Sequence, residues 1–96
     1  MNPTIPPSIL NPIIRITALS PDQIRSNCRK ENYVYARRII AELMREQAHP
    51  IKSIAQAINR HRTTVINILK TNPDQYTYNP KYRTLYLSTC MLTPEG

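Results

Sequence analysis

The chain has 96 residues, enough for one small domain. A domain of this size buries only about 60–65% of the surface of its unfolded chain, which leaves little room for a deep active site. Thirteen Lys and Arg against six Asp and Glu give a net charge of +7 and a sequence pI near 9.9, so the expected partner is a polyanion, with nucleic acid ahead of an anionic membrane. No apolar run approaches the roughly 20 residues of a membrane span, and there is no basic helix with a bulky aromatic face to lie on a bilayer.

The one Gly is Gly96, and nine Pro punctuate the chain towards its ends. A glycine-poor interior favours helices and argues against a phosphate-cradling loop. Phe and Trp are absent, so aromatic packing falls to six Tyr. Cys28 and Cys90 lie far apart, with no further Cys or His at metal-ligand spacing beside either; both read as reduced thiols of a cytosolic protein, and no metal or cofactor is expected. The first ten residues have no positive start and too many prolines for a signal peptide.

In chain order, residues 1–13 read as a proline-rich arm without a helix of its own, docking through Ile9, Leu10, Ile13 and Ile14. Residues 13–19 fit an extended or a helical piece, and the pattern does not decide. Ser20-Pro21-Asp22-Gln23 is a helix start: Ser20 caps, Pro21 takes the first helical position and Gln23 reaches back. A short helix ending near Ser26 leads into a basic junction at residues 27–31. The longest helix is expected over residues 30–48, with Val34, Ala36, Ile39, Ile40, Leu43 and Met44 as its apolar stripe and an Arg38–Glu42 pair outside. Arg37 and Arg45, eight residues apart, share one side of it, and simple solvation is the plainest reading of both. His49-Pro50 ends this helix and starts the next, with His49 as a turn residue.

Residues 51–70, IKSIAQAINRHRTTVINILK, organise the rest. Ile51, Ile54, Ala55 and Ile58 share one helical face, and Val65, Ile68 and Leu69 share another. The polar turn between them starts at Asn59, a residue that accepts left-handed backbone. Ala55 is small where two helices would cross. This is the pattern of a helix-turn-helix, whose second helix enters a DNA major groove. With Val65, Ile68 and Leu69 inward, Thr63, Asn67 and Lys70 point out, Thr64 and Ile66 flank them, and Arg60, His61 and Arg62 cluster at the helix start, where free N–H groups attract phosphate. Thr71-Asn72-Pro73-Asp74 is expected to end this helix. Beyond it, Asn79-Pro80 can start a last helix with Tyr82, Leu85, Tyr86 and Met91 towards the core; a strand pair around Tyr76, Tyr78, Tyr86 and Leu87 is the alternative.

Several pieces, in order and spacing, resemble the C-terminal DNA-binding domain of DnaA, the bacterial chromosomal replication initiator. They are the capped helix at residues 20–24, the loop Cys28-Arg29-Lys30-Glu31, Ala36-Arg37, Leu43-Met44-Arg45-Glu46, and Arg60-His61-Arg62-Thr63-Thr64-Val65. The resemblance spans residues 19–65. It implies that Arg29 enters a minor groove, that Thr63 meets a base and Thr64 a phosphate, and that Arg37 and Arg45 lie on the phosphate backbone, against the solvation reading of those two. The family's Asp-His before Thr-Thr is His61-Arg62 here. Asp accepts from cytosine whereas Arg donates to guanine, so the family's recognition sequence does not carry over. The family's two glycines before its Arg are one residue here, Asn59. The family's ATPase domain does not fit in 96 residues, and no GxxxxGK[ST] occurs. Residues 51–70 alone also resemble the start of certain insertion-sequence transposases, without a catalytic carboxylate triad.

The sequence therefore reads as an all-α small helical bundle: an arm over residues 1–13, a DNA-binding domain over 14–72 with the helix-turn-helix at 51–70, and a Tyr-rich segment and helix over 73–96 packing on it. The expected function is that of a non-enzymatic, cytoplasmic binder of double-stranded DNA, initiator-like or regulatory, from a phage or mobile element, monomeric or weakly dimeric. The expected contacts are Arg29, Lys30, Arg37, Arg45, Arg60, His61, Arg62, Thr63, Thr64, Asn67 and Lys70. From another class, a module that binds an acidic host protein through the arm or the Tyr-rich tail is the alternative, with the DNA-binding part of a transposase-like system beside it. RNA is disfavoured because aromatics are not interleaved with the basic residues. An enzyme is disfavoured because His49 and His61 have no nearby carboxylate or thiol at useful spacing.

Overall fold

The computed structural model describes residues 5–92 and contains six helices: α1 (Pro7–Thr17), α2 (Pro21–Arg25), α3 (Glu31–Glu46), α4 (Ile51–Ala57), α5 (Arg62–Tyr78) and α6 (Pro80–Leu92). Among the described residues there is no strand, so the all-α expectation stands and the strand-pair alternative for the tyrosines falls. Helix α3 is the central element. It is packed by α1, α2, α4, α5 and α6, and Tyr35, Ala36, Ile39, Ile40, Ala41, Leu43 and Met44 are all buried along it. Apolar burial of this kind, at about 1.5–3 kcal/mol for each large side chain, is the main favourable term in a bundle without disulfides. Cys28 and Cys90 are both free thiols.

The N-terminal segment departs from the expected arm. Pro6 is the N-cap and a proline stands in the first turn, positions where a missing N–H costs nothing. Pro12 lies inside α1, and the helix tolerates it because Ile5, Ile9 and Ile13, four apart, are buried against the core. Tertiary burial outweighs the one backbone hydrogen bond that Pro12 forfeits. The first four residues of the expected arm lie outside the described residues.

Helix α2 is closed as its sequence requires: Ser20 Oγ accepts from the Gln23 N–H (3.2 Å) and Gln23 Oε1 accepts from the Ser20 N–H (2.8 Å). With no internal glycine, three helices end on other residues in the left-handed region: Ala18 (φ 59°), Ala48 (φ 67°) and Asn59 (φ 56°). At α3 the His49 N–H reaches the Met44 carbonyl (3.0 Å) and the Ala48 N–H the Arg45 carbonyl (2.9 Å). At α4 the Arg60 N–H reaches Ala55 (2.9 Å) and the Asn59 N–H reaches Gln56 (3.3 Å). Both are Schellman closures, and they set the turns before α4 and before α5.

Helix α5 runs on where Thr71-Asn72-Pro73-Asp74 was expected to stop it. Asn72 falls on the inward face with Val65, Ile68 and Leu69 and is only 3% exposed. Its Oδ1 accepts from Arg38 Nη1 (3.2 Å), and its Nδ2 donates to Glu42 Oε1 (3.1 Å). A buried amide satisfied this way ties α5 to α3 and carries the helix across Pro73. The expected Arg38–Glu42 pair is thus replaced by a bridge through Asn72, with Arg38 also donating to Thr71 Oγ1 (2.8 Å). Asn79 then caps α6 through Oδ1, which accepts from the Tyr82 N–H (3.3 Å). Tyr82 is buried, and Leu85 and Tyr86 pack partly against the core; Met91, expected inside, is 85% exposed.

Candidate nucleic-acid interface

The basic loop between α2 and α3 is held from beneath. Arg37 lies on the face of α3 that meets this loop, is 5% exposed, and aims its guanidinium at three carbonyls, one in the last turn of α2 and two in the loop. Its Nε donates to the Ile24 carbonyl (2.6 Å), and its Nη2 donates to those of Ser26 (2.8 Å) and Cys28 (2.8 Å). Arg60, leaving α4, also donates to the Ser26 carbonyl, at 2.6 Å. Two guanidinium groups therefore converge on one peptide oxygen. Burial, and then the nearby Arg60 charge, hold the Arg37 pKa below its ordinary value. The loop is tied again through Asn59, whose Nδ2 donates to the Arg25 carbonyl (3.1 Å), and through Arg25, whose Nη2 donates to the Gln56 carbonyl (3.3 Å). The end of α2 and the turn of the helix-turn-helix thus form one hydrogen-bonded block.

On that block the start of α5 stands open. His61 is its N-cap residue in extended conformation, with no side-chain hydrogen bond to the helix, so its first backbone N–H groups keep their positive end outward. Asn27, Arg29, Asn59, Arg60, His61 and Thr64 line an open concavity of about 580 Å³ between the loop and this helix start. A smaller hollow of about 290 Å³ continues beneath it, lined by Arg29, Arg60 and Thr64 together with Arg37, Arg38, Val34 and Ile68. Arg62, Thr63, Asn67 and Lys70 are exposed on the outer side of α5, with Ile66 42% exposed among them. Of the residues expected to face inward, Ile54, Ala55, Ile58, Val65 and Ile68 are buried, and Ile51 and Leu69 are half-buried against the core.

The eleven residues singled out in the sequence sort into three groups. Arg29, Arg60, His61 and Thr64 are brought together around one concavity. Lys30, Arg62, Thr63, Asn67 and Lys70 are exposed, Lys30 as the N-cap residue of α3. Arg37 and Arg45 part company. Eight residues of helix turn about 800°, so the two side chains point about 80° apart; Arg45 is exposed, while Arg37 is consumed by the loop carbonyls. Arg37 is therefore corrected from a phosphate contact to a clamp under the loop, because its donors Nε and Nη2 already face peptide oxygens. Asn27 was missed. Its only sequence signal was a polar residue next to the basic junction.

A helix-turn-helix carried on a small all-α bundle, with a cationic hollow at the start of its second helix, defines a DNA-binding domain. The chain belongs to the bacterial DnaA protein helix-turn-helix family, whose model matches residues 6–71. The match begins within the arm that was expected to dock without forming a helix, in agreement with the helix found there. No curated protein and no solved structure matches the chain significantly. Family and fold together make it a DNA-binding protein. Among the described residues no helix is long and apolar enough to cross a membrane, and no group of three or more His, Cys, Asp or Glu is placed to hold a metal ion.

Proposed function

We propose that the chain acts as an initiator-like or regulatory factor on double-stranded DNA. Helix α5 enters the major groove with Arg62, Thr63 and Asn67 at base edges, while Arg29 reaches into the neighbouring minor groove and Lys30, Arg45, Arg60, Thr64 and Lys70 take phosphates. One observation carries this reading: the loop bearing Arg29 and the start of α5 are fastened into a single block, with Arg29, Arg60, His61 and Thr64 facing the same open hollow. A block of that kind can follow the backbone between two adjacent grooves. Arg62 stands at the family's His, next to His61 at the family's Asp, and a guanidinium there favours guanine O6 and N7, at about 1–3 kcal/mol of discrimination.

The test is fluorescence anisotropy against duplexes selected from a random pool, repeated over a range of salt. The four cationic phosphate contacts, Lys30, Arg45, Arg60 and Lys70, give a log–log slope of about −3 to −4. A flat slope rejects the proposal. Arg62→Ala is expected to lose about 1–3 kcal/mol at one base position and to relax the preference there, whereas Lys30→Ala weakens all sequences alike and makes the slope shallower by about 1.

A further inference from the structure

The outward face of α5 carries an apolar side chain among polar ones. Val65 and Ile68 are buried, and Leu69 packs partly against the core. At about 100° per residue, the direction opposite Val65 and Ile68 passes between Thr63 and Lys70. Asn67 and Ile66 lie about 50° to its two sides. Ile66 is 42% exposed. Of its neighbours one turn away, Arg62, Thr63 and Lys70 are exposed and polar, and only Leu69 leads towards the core. Over residues 62–70 no other exposed side chain is apolar.

Neither packing nor helix formation accounts well for an isoleucine at this position. Left so exposed, it forgoes much of the gain from burial. Its branched Cβ also makes it a poorer helix former than the Ala, Lys or Gln common on helix surfaces. A lone exposed aliphatic side chain is ordinary on a protein surface. Ile66 differs in its place: it stands one turn from Arg62, Thr63 and Lys70 and next to Asn67, the side chains proposed to enter a DNA groove. When the helix docks, Ile66 loses its water together with them.

We propose that Ile66 reads the C5-methyl group of a thymine. The inference rests on the major-groove reading of α5 and adds a base to it. A docked Ile66 displaces water from the base edge beneath it and offers no donor or acceptor in return. Over guanine, adenine or the N4 amino group of cytosine it leaves a polar atom unpaired, which disfavours those bases. Thymine is the base that presents a methyl group in the major groove, and an aliphatic side chain gains by covering it. Arg62, whose donors suit guanine, stands four residues earlier, about 6 Å along the helix axis. That is less than two base-pair steps of about 3.4 Å, so the guanine and the thymine should fall within about two or three base pairs of each other.

The experiment takes a duplex selected from the random pool and replaces each thymine in turn by deoxyuridine, which lacks the methyl group and keeps every hydrogen-bonding atom. Anisotropy with the whole chain is expected to reveal a thymine whose replacement weakens binding about three- to fivefold, the effect of one buried methyl group. In Ile66→Ala the thymine and deoxyuridine duplexes should bind alike at that position, with the salt slope unchanged. The denaturation midpoint of this variant should stay close to that of the parent chain, since Ala forms helix readily and the site is exposed. Salt-dependent binding with no thymine sensitive to its methyl group overturns the inference and leaves the major-groove reading standing. A methyl effect that survives in Ile66→Ala belongs to another side chain and overturns it too. Equal losses on both duplexes together with a lower midpoint make Ile66 a structural residue, against the proposal. A flat salt slope rejects the DNA reading and this inference with it.

Discussion

Arg37 shows how one residue's role turns on where its donors point. On the sequence it belongs to a row of basic residues on a long helix, and the family resemblance implies that it touches phosphate. In the structure it satisfies three peptide carbonyls, one at the end of α2 and two in the loop that carries Arg29. Removing it leaves the Ile24 and Cys28 carbonyls without its donors, Ser26 keeping only Arg60, and opens a space under the loop. Arg37→Met is therefore expected to lower unfolding stability by about 2–4 kcal/mol in denaturant titrations. Arg37→Lys should recover little of it, because a single ammonium lacks the guanidinium's rigid set of donors. Arg45→Ala, on the exposed side of the same helix, should stay within about 0.5 kcal/mol. Equal effects of Arg37→Met and Arg45→Ala would refute the clamp.

At the scale of the element, the helices end in unusual ways for so regular a bundle. Ala18, Ala48 and Asn59 take left-handed backbone at positions where glycine is the common choice. Asn bears that conformation more easily than Ala. Ala48→Gly, in the closure between α3 and α4, should therefore stabilise the fold by about 0.5–1 kcal/mol: relief of the strained Ala exceeds the added freedom of glycine in the unfolded chain. A thermal or denaturant midpoint that falls instead would show that the closure is not limiting there. Elements that the sequence marked by caps, namely the Ser20–Gln23 box, the Asn59 turn and Asn79-Pro80, are found where expected, because a cap is satisfied by atoms within a few residues. Two prolines expected to exclude or end a helix misled. Pro12 and Pro73 stand inside helices because partners far along the chain bury or bond the residues next to them.

The whole molecule is closed by α6, which lays Tyr82 and Tyr86 against α3 and α5. Both phenols ionise less readily than an ordinary tyrosine at 10.0, mainly through burial. A raised acid pKa in the fold means that this stabilisation is complete below pH 10.0 and is lost as the pH rises above it. Alkaline titration should thus show loss of helicity coupled to a cooperative rise in tyrosinate absorbance; smooth ionisation of all six tyrosines with helicity intact would contradict it. The sequence by itself determined the helical class, the helix-turn-helix with its inward isoleucines and outward Thr63, Asn67 and Lys70, and the cationic character that points to DNA. Each of these rests on periodicity or on charge, which are local or additive properties of the chain. Only the tertiary structure decided that the N-terminal segment is a packed helix, that α5 crosses Asn72-Pro73, and that Arg37 lies beneath the loop instead of on its surface. Those outcomes depend on which distant group satisfies a buried donor or covers an apolar side chain, and sequence spacing carries no record of that.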